Sequence, residues 1–208
     1  MKMSNKLKYD FELVGDFSNK IMVAIHGWQG NRESMKPLVN SLNENNVGWY
    51  FLEAPYETVN GSNKFSWSYE TSKGVWEEEK PRFLLNDFFE SLFNKHISTD
   101  IFVMGFSQGG LVCLDYIAFL SQPLGGIFSI AGFSRNPKEQ MSRFHICQKH
   151  TPFLLAHGKD DEKVPASASL HIYEQLINQG ANAELLLYNG KHKIGIECLR
   201  KIKKTIQN

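Results

Sequence analysis

Residues 101–120, IFVMGFSQGGLVCLDYIAFL, place a serine between glycines at the junction of two apolar segments. The run Ile101–Met104 has the length of a buried strand, and a segment of helical period follows from Gln108. Ser107 would stand at a sharp strand-to-helix turn, which lifts its side chain clear of the sheet and needs small flanking residues. Serine is also a favoured helix N-cap, but capping requires neither glycine. The pattern therefore favours a nucleophilic serine at position 107.

The composition is that of an ordinary globular protein, with 208 residues, 42% hydrophobic and 22% charged residues. This length predicts one domain, residues 1–208. A net charge of +1 gives no reason to expect nucleic acid or an anionic membrane as a partner. The longest apolar runs are shorter than a membrane span, so neither a membrane-spanning segment nor a secretory signal is expected. Three widely spaced cysteines predict neither a disulfide framework nor a zinc site, so a cytoplasmic location is expected.

Short apolar runs alternate with longer segments of helical period, as is typical of a mostly parallel sheet covered by helices. The predicted strands are Tyr9–Val14, Ile21–Ile25, Gly48–Leu52, Ile101–Met104, Gly126–Ile130, Pro152–Ala156 and Ala183–Tyr188. The predicted helices are Arg32–Glu44, Arg82–Lys95, Gln108–Leu120, Ser167–Asn178 and Lys191–Ile206. Ligands of such sheets bind beyond the carboxyl ends of the strands, so functional residues are expected just after a strand.

One connection departs from this alternation. Residues 56–80, here called the flap segment, are polar, follow a predicted strand and contain Trp67 and Trp76. Connections of this length are uncommon unless they have a function or are disordered. The composition is equally compatible with a flap over a pocket and with a surface loop held down by its tryptophans.

A serine hydroxyl needs a base at neutral pH, and the base needs an orienting group. Three of the seven histidines, His26, His157 and His192, end candidate strands. His26 heads a glycine-containing turn, HGWQGN, which suggests a structural anchor. In hydrolases of this architecture the order along the chain is serine, acid, histidine, which favours His192 over His157 as the base.

Two neighbouring carboxylates compete for the role of the acid. Asp160 and Asp161 both follow the predicted strand Pro152–Ala156 and both precede His192. Aspartate is common in turns, so either could be a turn former. Composition does not separate the two.

The spacing of these motifs resembles the α/β-hydrolase superfamily and, within it, the phospholipase/carboxylesterase family that includes acyl-protein thioesterases. The matching motifs are His26–Gly27, Glu53–Pro55 with a later Ser-Trp, GFSQGG around Ser107, His157–Pro165 and Gly190–His192. One departure is Gln29, which occupies a position where the thioesterase branch has glycine.

This resemblance implies a three-layer α/β-hydrolase fold, with helices on both faces of a mostly parallel central sheet. Counting back from Val164–Pro165, the family's acid falls on Asp161. The family's oxyanion donors carry over to the backbone N–H groups of Trp28 and Gln108. The implied site then combines Ser107, Asp161 and His192 and needs neither a metal nor an organic cofactor.

The predicted function is hydrolysis of carboxylic esters or thioesters through an acyl-enzyme, as in a carboxylesterase, an acyl-protein thioesterase or a lysophospholipase. The alternatives are a dienelactone-hydrolase-like or peptidase-like enzyme and a non-catalytic binding protein of the same fold. The expected partner is a small or acylated substrate, and the protein would be a monomer or homodimer. Apolar residues suited to an acyl or aryl group are predicted to line the pocket together with Trp28: Phe65, Trp67, Phe106, Phe133 and Ile194.

Overall fold

The computed structural model describes residues 6–16, 19–135 and 142–207. Its strands are β1 (Lys8–Val14), β2 (Lys20–Ile25), β3 (Val47–Glu53), β4 (Tyr56–Glu57), β5 (Phe65–Ser66), β6 (Tyr69–Ser72), β7 (Val75–Glu77), β8 (Ile101–Phe106), β9 (Gly126–Ile130), β10 (Phe153–Gly158) and β11 (Ala183–Tyr188). Its α-helices are α1 (Pro37–Leu42), α2 (Glu79–Phe93), α3 (Gln108–Asp115), α4 (Ser167–Asn178) and α5 (Ile196–Gln207). Short 3₁₀ turns lie at Arg32–Met35, Ser98–Asp100, Ile117–Phe119 and Ile146–Gln148.

The central sheet has seven strands in the order β1-β3-β2-β8-β9-β10-β11. All neighbouring pairs are parallel except β1 with β3, which is antiparallel. The carboxyl ends of β8, β10 and β11 therefore meet at one edge of the sheet. This is the edge at which the residues of a site should converge.

Alternate side chains of the central strands pack into two separate hydrophobic cores, one on each face of the sheet. On β2, Ile21, Val23 and Ile25 pack with α2, α3 and α4, whereas Met22 and Ala24 pack with α1 and α5. This two-sided burial explains why the parallel strands read as continuous apolar runs in the sequence. The predicted three-layer α/β-hydrolase fold is confirmed.

All seven predicted strands of the central sheet are present, with boundaries that differ by at most two residues. The helix predicted at Arg32–Glu44 is divided into a 3₁₀ turn and α1, because Pro37 starts a new helix at its first turn. The helix predicted from Lys191 begins only at Ile196. Residues 191–195 are instead a loop, closed by the Tyr188 hydroxyl, which donates to the Lys193 carbonyl at 2.5 Å.

The helix predicted at Gln108–Leu120 also ends early, at Asp115, and a 3₁₀ turn follows. The helix predicted at Arg82–Lys95 begins three residues earlier, at Glu79. None of the helices in the described part of the chain is long and apolar enough to cross a membrane.

Candidate active site

Ser107 occupies a strained turn between β8 and α3. Its backbone has φ 56° and ψ −113°, in the region that side-chain-bearing residues rarely adopt. A Cβ on Gly105 would collide with the Gly109 carbonyl, and a Cβ on Gly109 would collide with the Ile25 carbonyl. Only glycine at these two positions lets β8, the turn and α3 approach this closely, as the sequence pattern predicts. The Ser107 N–H is held by the Ile130 carbonyl at 2.8 Å.

A histidine and a carboxylate extend from this serine in a chain of hydrogen bonds. His192 Nε2 lies 3.0 Å from Ser107 Oγ, and His192 Nδ1 lies 2.6 Å from Asp161 Oδ2. The Asp161 carboxylate is buried, whereas the His192 ring retains some exposure. A carboxylate at Nδ1 keeps the proton on that nitrogen and leaves Nε2 free to accept the serine proton. The geometry is that of an activated nucleophile.

The acid that meets His192 is Asp161 and not Asp160, whose side chain is exposed. Burial alone would raise the pKa of Asp161. The N–H of Val164, the His192 ring and the N–H of Lys163 together outweigh burial and hold the pKa below its usual value. The two N–H groups reach Oδ1 at 3.0 and 2.9 Å. Asp161 is therefore ionised at neutral pH and oriented by its own turn.

His157, the rival base in the sequence, is completely buried on β10. Its Nδ1 lies 2.7 Å from Ser169 Oγ, and its Nε2 lies 2.9 Å from the Val164 carbonyl and 3.2 Å from Asp161 Oδ2. His157 therefore stabilises the turn that contains Asp161 and Val164, whereas His192 is the histidine that contacts Ser107. Nothing in the sequence pattern alone indicated this contact between His157 and Asp161.

His26 is buried at the end of β2, as an anchor should be. The Ala54 N–H donates to His26 Nε2 at 3.1 Å, so the ring proton lies on Nδ1 and is donated to the Gly27 carbonyl at 2.7 Å. Burial lowers the pKa of His26 to about 4. The neutral ring fixes the loop that leads to Trp28.

The two predicted oxyanion donors lie on the loop after β2 and at the start of α3. Gln108 is the first residue of α3, where backbone N–H groups have no partner within the helix. Among the described residues, the N–H of Trp28 makes no hydrogen bond. Gln29 has φ 61°, which explains why glycine suits this position and shows that glutamine can hold the same left-handed backbone.

The predicted pocket residues differ in position. The Phe106 ring lies 4.9 Å from the His192 ring, centroid to centroid, and the Trp28 side chain is 63% exposed. Phe65 is half-buried and lines a cavity of about 590 Å³ with Tyr56, Tyr69 and Leu84. Phe133 is half-buried against the core beneath α2 and α3, and Ile194 packs towards α1 and α5. Trp67 is completely buried, so the expectation that its ring faces a substrate is not met.

The flap segment contains two pairs of short strands, β4 with β5 and β6 with β7. Its two tryptophans play different parts: Trp67 belongs to the core, whereas Trp76 is 39% exposed and lies under the Arg135 guanidinium at 3.7 Å. Arg135 also donates to Glu78 at 2.9 Å and to Ser68 at 2.7 Å. This clamp by Arg135 was not predicted, because nothing in the sequence links position 135 to residues some sixty positions earlier.

Known proteins that are similar to this chain identify its family. A phospholipase/carboxylesterase family model matches residues 16–208. Carboxylesterase SOBER1 of Arabidopsis thaliana is 25% identical over 201 residues, covering 88% of this chain and 87% of that protein. Acyl-protein thioesterase 1 of Kluyveromyces lactis is 31% identical over 84 residues, covering 39% of this chain and 37% of the relative.

A similar fold is found among solved structures. The crystal structure of esterase PE8 superposes with a TM-score of 0.82 at 21% identity and covers 97% of this chain and 98% of its own. The fold, the strained serine turn and the family match over residues 16–208 lead to one conclusion. The chain belongs to the phospholipase/carboxylesterase family of α/β-hydrolases.

Proposed function

We propose that this protein hydrolyses carboxylic esters or thioesters through an acyl intermediate on Ser107. The observation that carries the proposal is the continuous relay of Ser107 Oγ, His192 and Asp161, with separations of 3.0 and 2.6 Å. The match to the phospholipase/carboxylesterase family supports the same reaction.

In the first half of the reaction, Ser107 Oγ attacks the acyl carbonyl while its proton passes to His192 Nε2. Ionised Asp161 stabilises the resulting imidazolium through Nδ1–H. The N–H groups of Trp28 and Gln108 bind the oxyanion, and the positive end of α3 favours the same charge. His192 then gives its proton to the departing alcohol or thiol.

In the second half, water takes the place of the alcohol or thiol. His192 removes a proton from the water, which attacks the acyl-serine carbonyl. The second tetrahedral intermediate uses the same two N–H donors, and its collapse returns the proton to Ser107 Oγ. The products are a carboxylic acid and regenerated enzyme, and these side chains suffice for every proton transfer.

The surroundings of Ser107 favour an uncharged, apolar acyl or aryl group. Phe106 packs against the His192 ring, and Trp28, which carries one of the proposed oxyanion donors, is largely exposed. Aromatic side chains of this kind bind acyl chains and rings better than charged groups. We infer a small-molecule ester or an acylated thiol as substrate, and no nucleic acid, in a cytoplasmic setting, where unpaired cysteines such as Cys113, Cys147 and Cys198 persist.

A fluorophosphonate probe tests this function directly, because it phosphonylates activated serines. The wild-type protein should be labelled, whereas Ser107→Ala should not. Ser107→Ala and His192→Ala should each lose up to about a millionfold in p-nitrophenyl ester turnover. Ser167→Ala, which changes an exposed serine at the start of α4, is the control and should remain active. Absence of labelling in the wild type would refute the enzyme and favour a binding protein.

The substrate class needs a separate experiment. A panel of esters from acetyl to palmitoyl, with a matched thioester for each chain length, measures kcat/KM as a function of chain length. A clear optimum identifies the acyl length that the apolar surface accepts. The ratio between ester and thioester at that length identifies the preferred leaving group.

A further inference from the structure

A single short stretch of the flap segment is hydrogen-bonded to both sides of the predicted oxyanion site. On one side, the Phe65 carbonyl accepts from the Gln29 N–H at 2.9 Å, and the Phe65 N–H donates to the Gly30 carbonyl at 2.9 Å. The Trp67 indole N–H donates to the His26 carbonyl at 2.9 Å. These three bonds hold the loop that carries the Trp28 N–H.

On the other side, the contact is made by the side chain of Gln108. Its Oε1 accepts from the Trp67 backbone N–H at 3.1 Å. Its Nε2 lies 2.9 Å from the Ser66 hydroxyl and 3.2 Å from the Ser68 hydroxyl. Gln108 is 4% exposed, so these bonds are made away from water. Residues 65–68 therefore bridge the loop after β2 and the start of α3.

We propose that the Gln108 side chain is a positioning residue, which sets the separation between its own N–H and the N–H of Trp28. This inference rests on the proposed function, because it concerns the same oxyanion site. The loop after β2 and the start of α3 belong to different elements, and residues 65–68 connect them through side-chain and main-chain bonds. The amide of Gln108 is the point at which this connection meets α3.

The physical reason lies in the tolerance of an oxyanion site. Donors must lie 2.7–3.1 Å from the oxygen as it becomes charged, and the loss of one donor costs roughly a hundredfold to a thousandfold in kcat. An unsatisfied, buried Trp67 N–H would also favour rearrangement of residues 65–68. A shift of that bridge would misplace the Trp28 loop while leaving Ser107, His192 and Asp161 in place.

The test replaces the amide with an apolar group of similar length. Gln108→Met removes the acceptor of the Trp67 N–H and both donors to Ser66 and Ser68. We expect kcat to fall about 10- to 100-fold, less than the loss of a whole donor. KM should change by less than about threefold, since the ground state makes little use of the donors.

A matched control separates positioning from loss of stability. Gln148 is another buried glutamine, whose amide bonds to the Leu124 N–H, the Thr151 hydroxyl and the carbonyls of Leu120 and Gln122. Gln148→Met should lower the thermal midpoint by an amount similar to Gln108→Met but leave kcat within about twofold of the wild type. Equal kcat in the two variants would overturn the proposal.

A second readout and a second variant keep the test decisive. A trifluoromethyl ketone forms a tetrahedral adduct on the serine, and its affinity should fall in Gln108→Met by the same factor as kcat. Trp67→Phe removes the indole donor to His26 at the other end of the bridge and should also lower kcat, about tenfold, with KM nearly unchanged. It replaces Gln108→Met in the test should that variant fail to fold. Unchanged kcat and unchanged ketone affinity would refute the bridge.

Failure of the proposed function gives a different result from failure of this inference. If the wild-type protein neither turns over esters nor reacts with fluorophosphonate, the proposed function is refuted. If the wild type is active but Gln108→Met and Gln148→Met have the same kcat, the proposed function stands and only the positioning role of Gln108 is refuted.

Discussion

The turn around Ser107 and the flap segment lie on either side of the same site, but they are built differently. Residues 105–110 are fixed by main-chain contacts, since a Cβ on Gly105 or Gly109 would overlap a neighbouring carbonyl. The distal flap, residues 69–77, contains β6 paired with β7, is anchored by side-chain contacts such as Arg135 on Trp76 and on the adjoining Glu78, and exposes Val75 to solvent.

This difference suggests that the two regions contribute separately to the chemical step and to substrate binding. Main-chain contacts hold Ser107 in one geometry, and almost any substitution of Gly105 or Gly109 would disturb that geometry. Side-chain contacts can be exchanged at a cost of about 1 kcal/mol each, so the distal flap can change without disturbing the reacting groups. We therefore expect changes near the sheet edge to act on the chemical step and changes in the distal flap to act on substrate binding.

The largest contrast should come from two adjacent aspartates. Asp161→Asn removes the charge that holds the Nδ1 proton on His192, so kcat should fall about ten-thousandfold. Asp160→Asn changes an exposed carboxylate and should leave kcat within about twofold of the wild type. Steady-state kinetics on p-nitrophenyl acetate measures both, and circular dichroism checks that both variants fold. A reversal of the two results would show that the acid has been assigned to the wrong residue.

A smaller effect should be seen at His26, where the loop before Trp28 is anchored. Its pKa is about 4 in the folded protein against 6.5 for an unperturbed histidine. Between these values the unfolded chain binds the proton and the folded one does not, so the free energy of unfolding should decrease as the pH falls from about 6.5 to about 4. The decrease attributable to this residue amounts to about 3 kcal/mol.

The control for this titration is His26→Gln. A glutamine can accept from the Ala54 N–H and donate to the Gly27 carbonyl, as the neutral imidazole does. It does not titrate, so its unfolding free energy should depend less on pH across the same window. Denaturant unfolding at pH 7 and pH 4 gives the comparison. The same pH dependence in both proteins would mean that His26 does not supply it.

Much of the fold could be predicted from the sequence because both faces of the sheet are buried. A strand such as Ile101–Phe106 then reads as a continuous apolar run with a clear end. The early start predicted for the last helix was wrong for a physical reason. Residues 191–195 end in Gly195, a poor helix former, and the Lys193 carbonyl accepts from the Tyr188 hydroxyl instead of bonding within a helix.

Side-chain contacts across distant segments could not be predicted in the same way. GFSQGG indicates a serine turn because the local geometry demands glycine, but it says nothing of where the Gln108 amide points. Trp67 and Trp76 lie in the same polar segment, and the sequence does not show which of them is buried. Only the folded chain places Trp67 in the core with side chains of α2 and α3. Only the family resemblance assigned the role of the acid to Asp161, since the sequence pattern does not distinguish two adjacent aspartates.

The smallest expected effect concerns the clamp on the distal flap. Arg135→Met keeps an apolar side chain over Trp76 but removes the ion pair with Glu78 and the bond to Ser68. The pair and the cation–π contact together contribute about 1 kcal/mol at such partly exposed positions. Hydrogen exchange of residues 69–77 should therefore become roughly fivefold faster. KM should rise by a comparable factor, because we expect the distal flap to contact bound substrate. Although Arg135 also bonds Ser68, kcat should stay within about twofold of the wild type, because the Gln108 amide keeps its own bonds to Ser66 and Ser68.

A second arginine provides the control for this clamp. Arg82 lies over the Tyr116 ring at 4.8 Å, outside the flap segment. Arg82→Met removes a contact of the same kind and should alter neither exchange at residues 69–77 nor KM. Faster exchange in Arg135→Met without a change in KM would mean that the distal flap is held by Arg135 but does not contact the substrate. A fall in kcat instead would mean that the Arg135 bond to Ser68 supports the bridge formed by residues 65–68, and that the distal flap acts on the chemical step as well as on substrate binding.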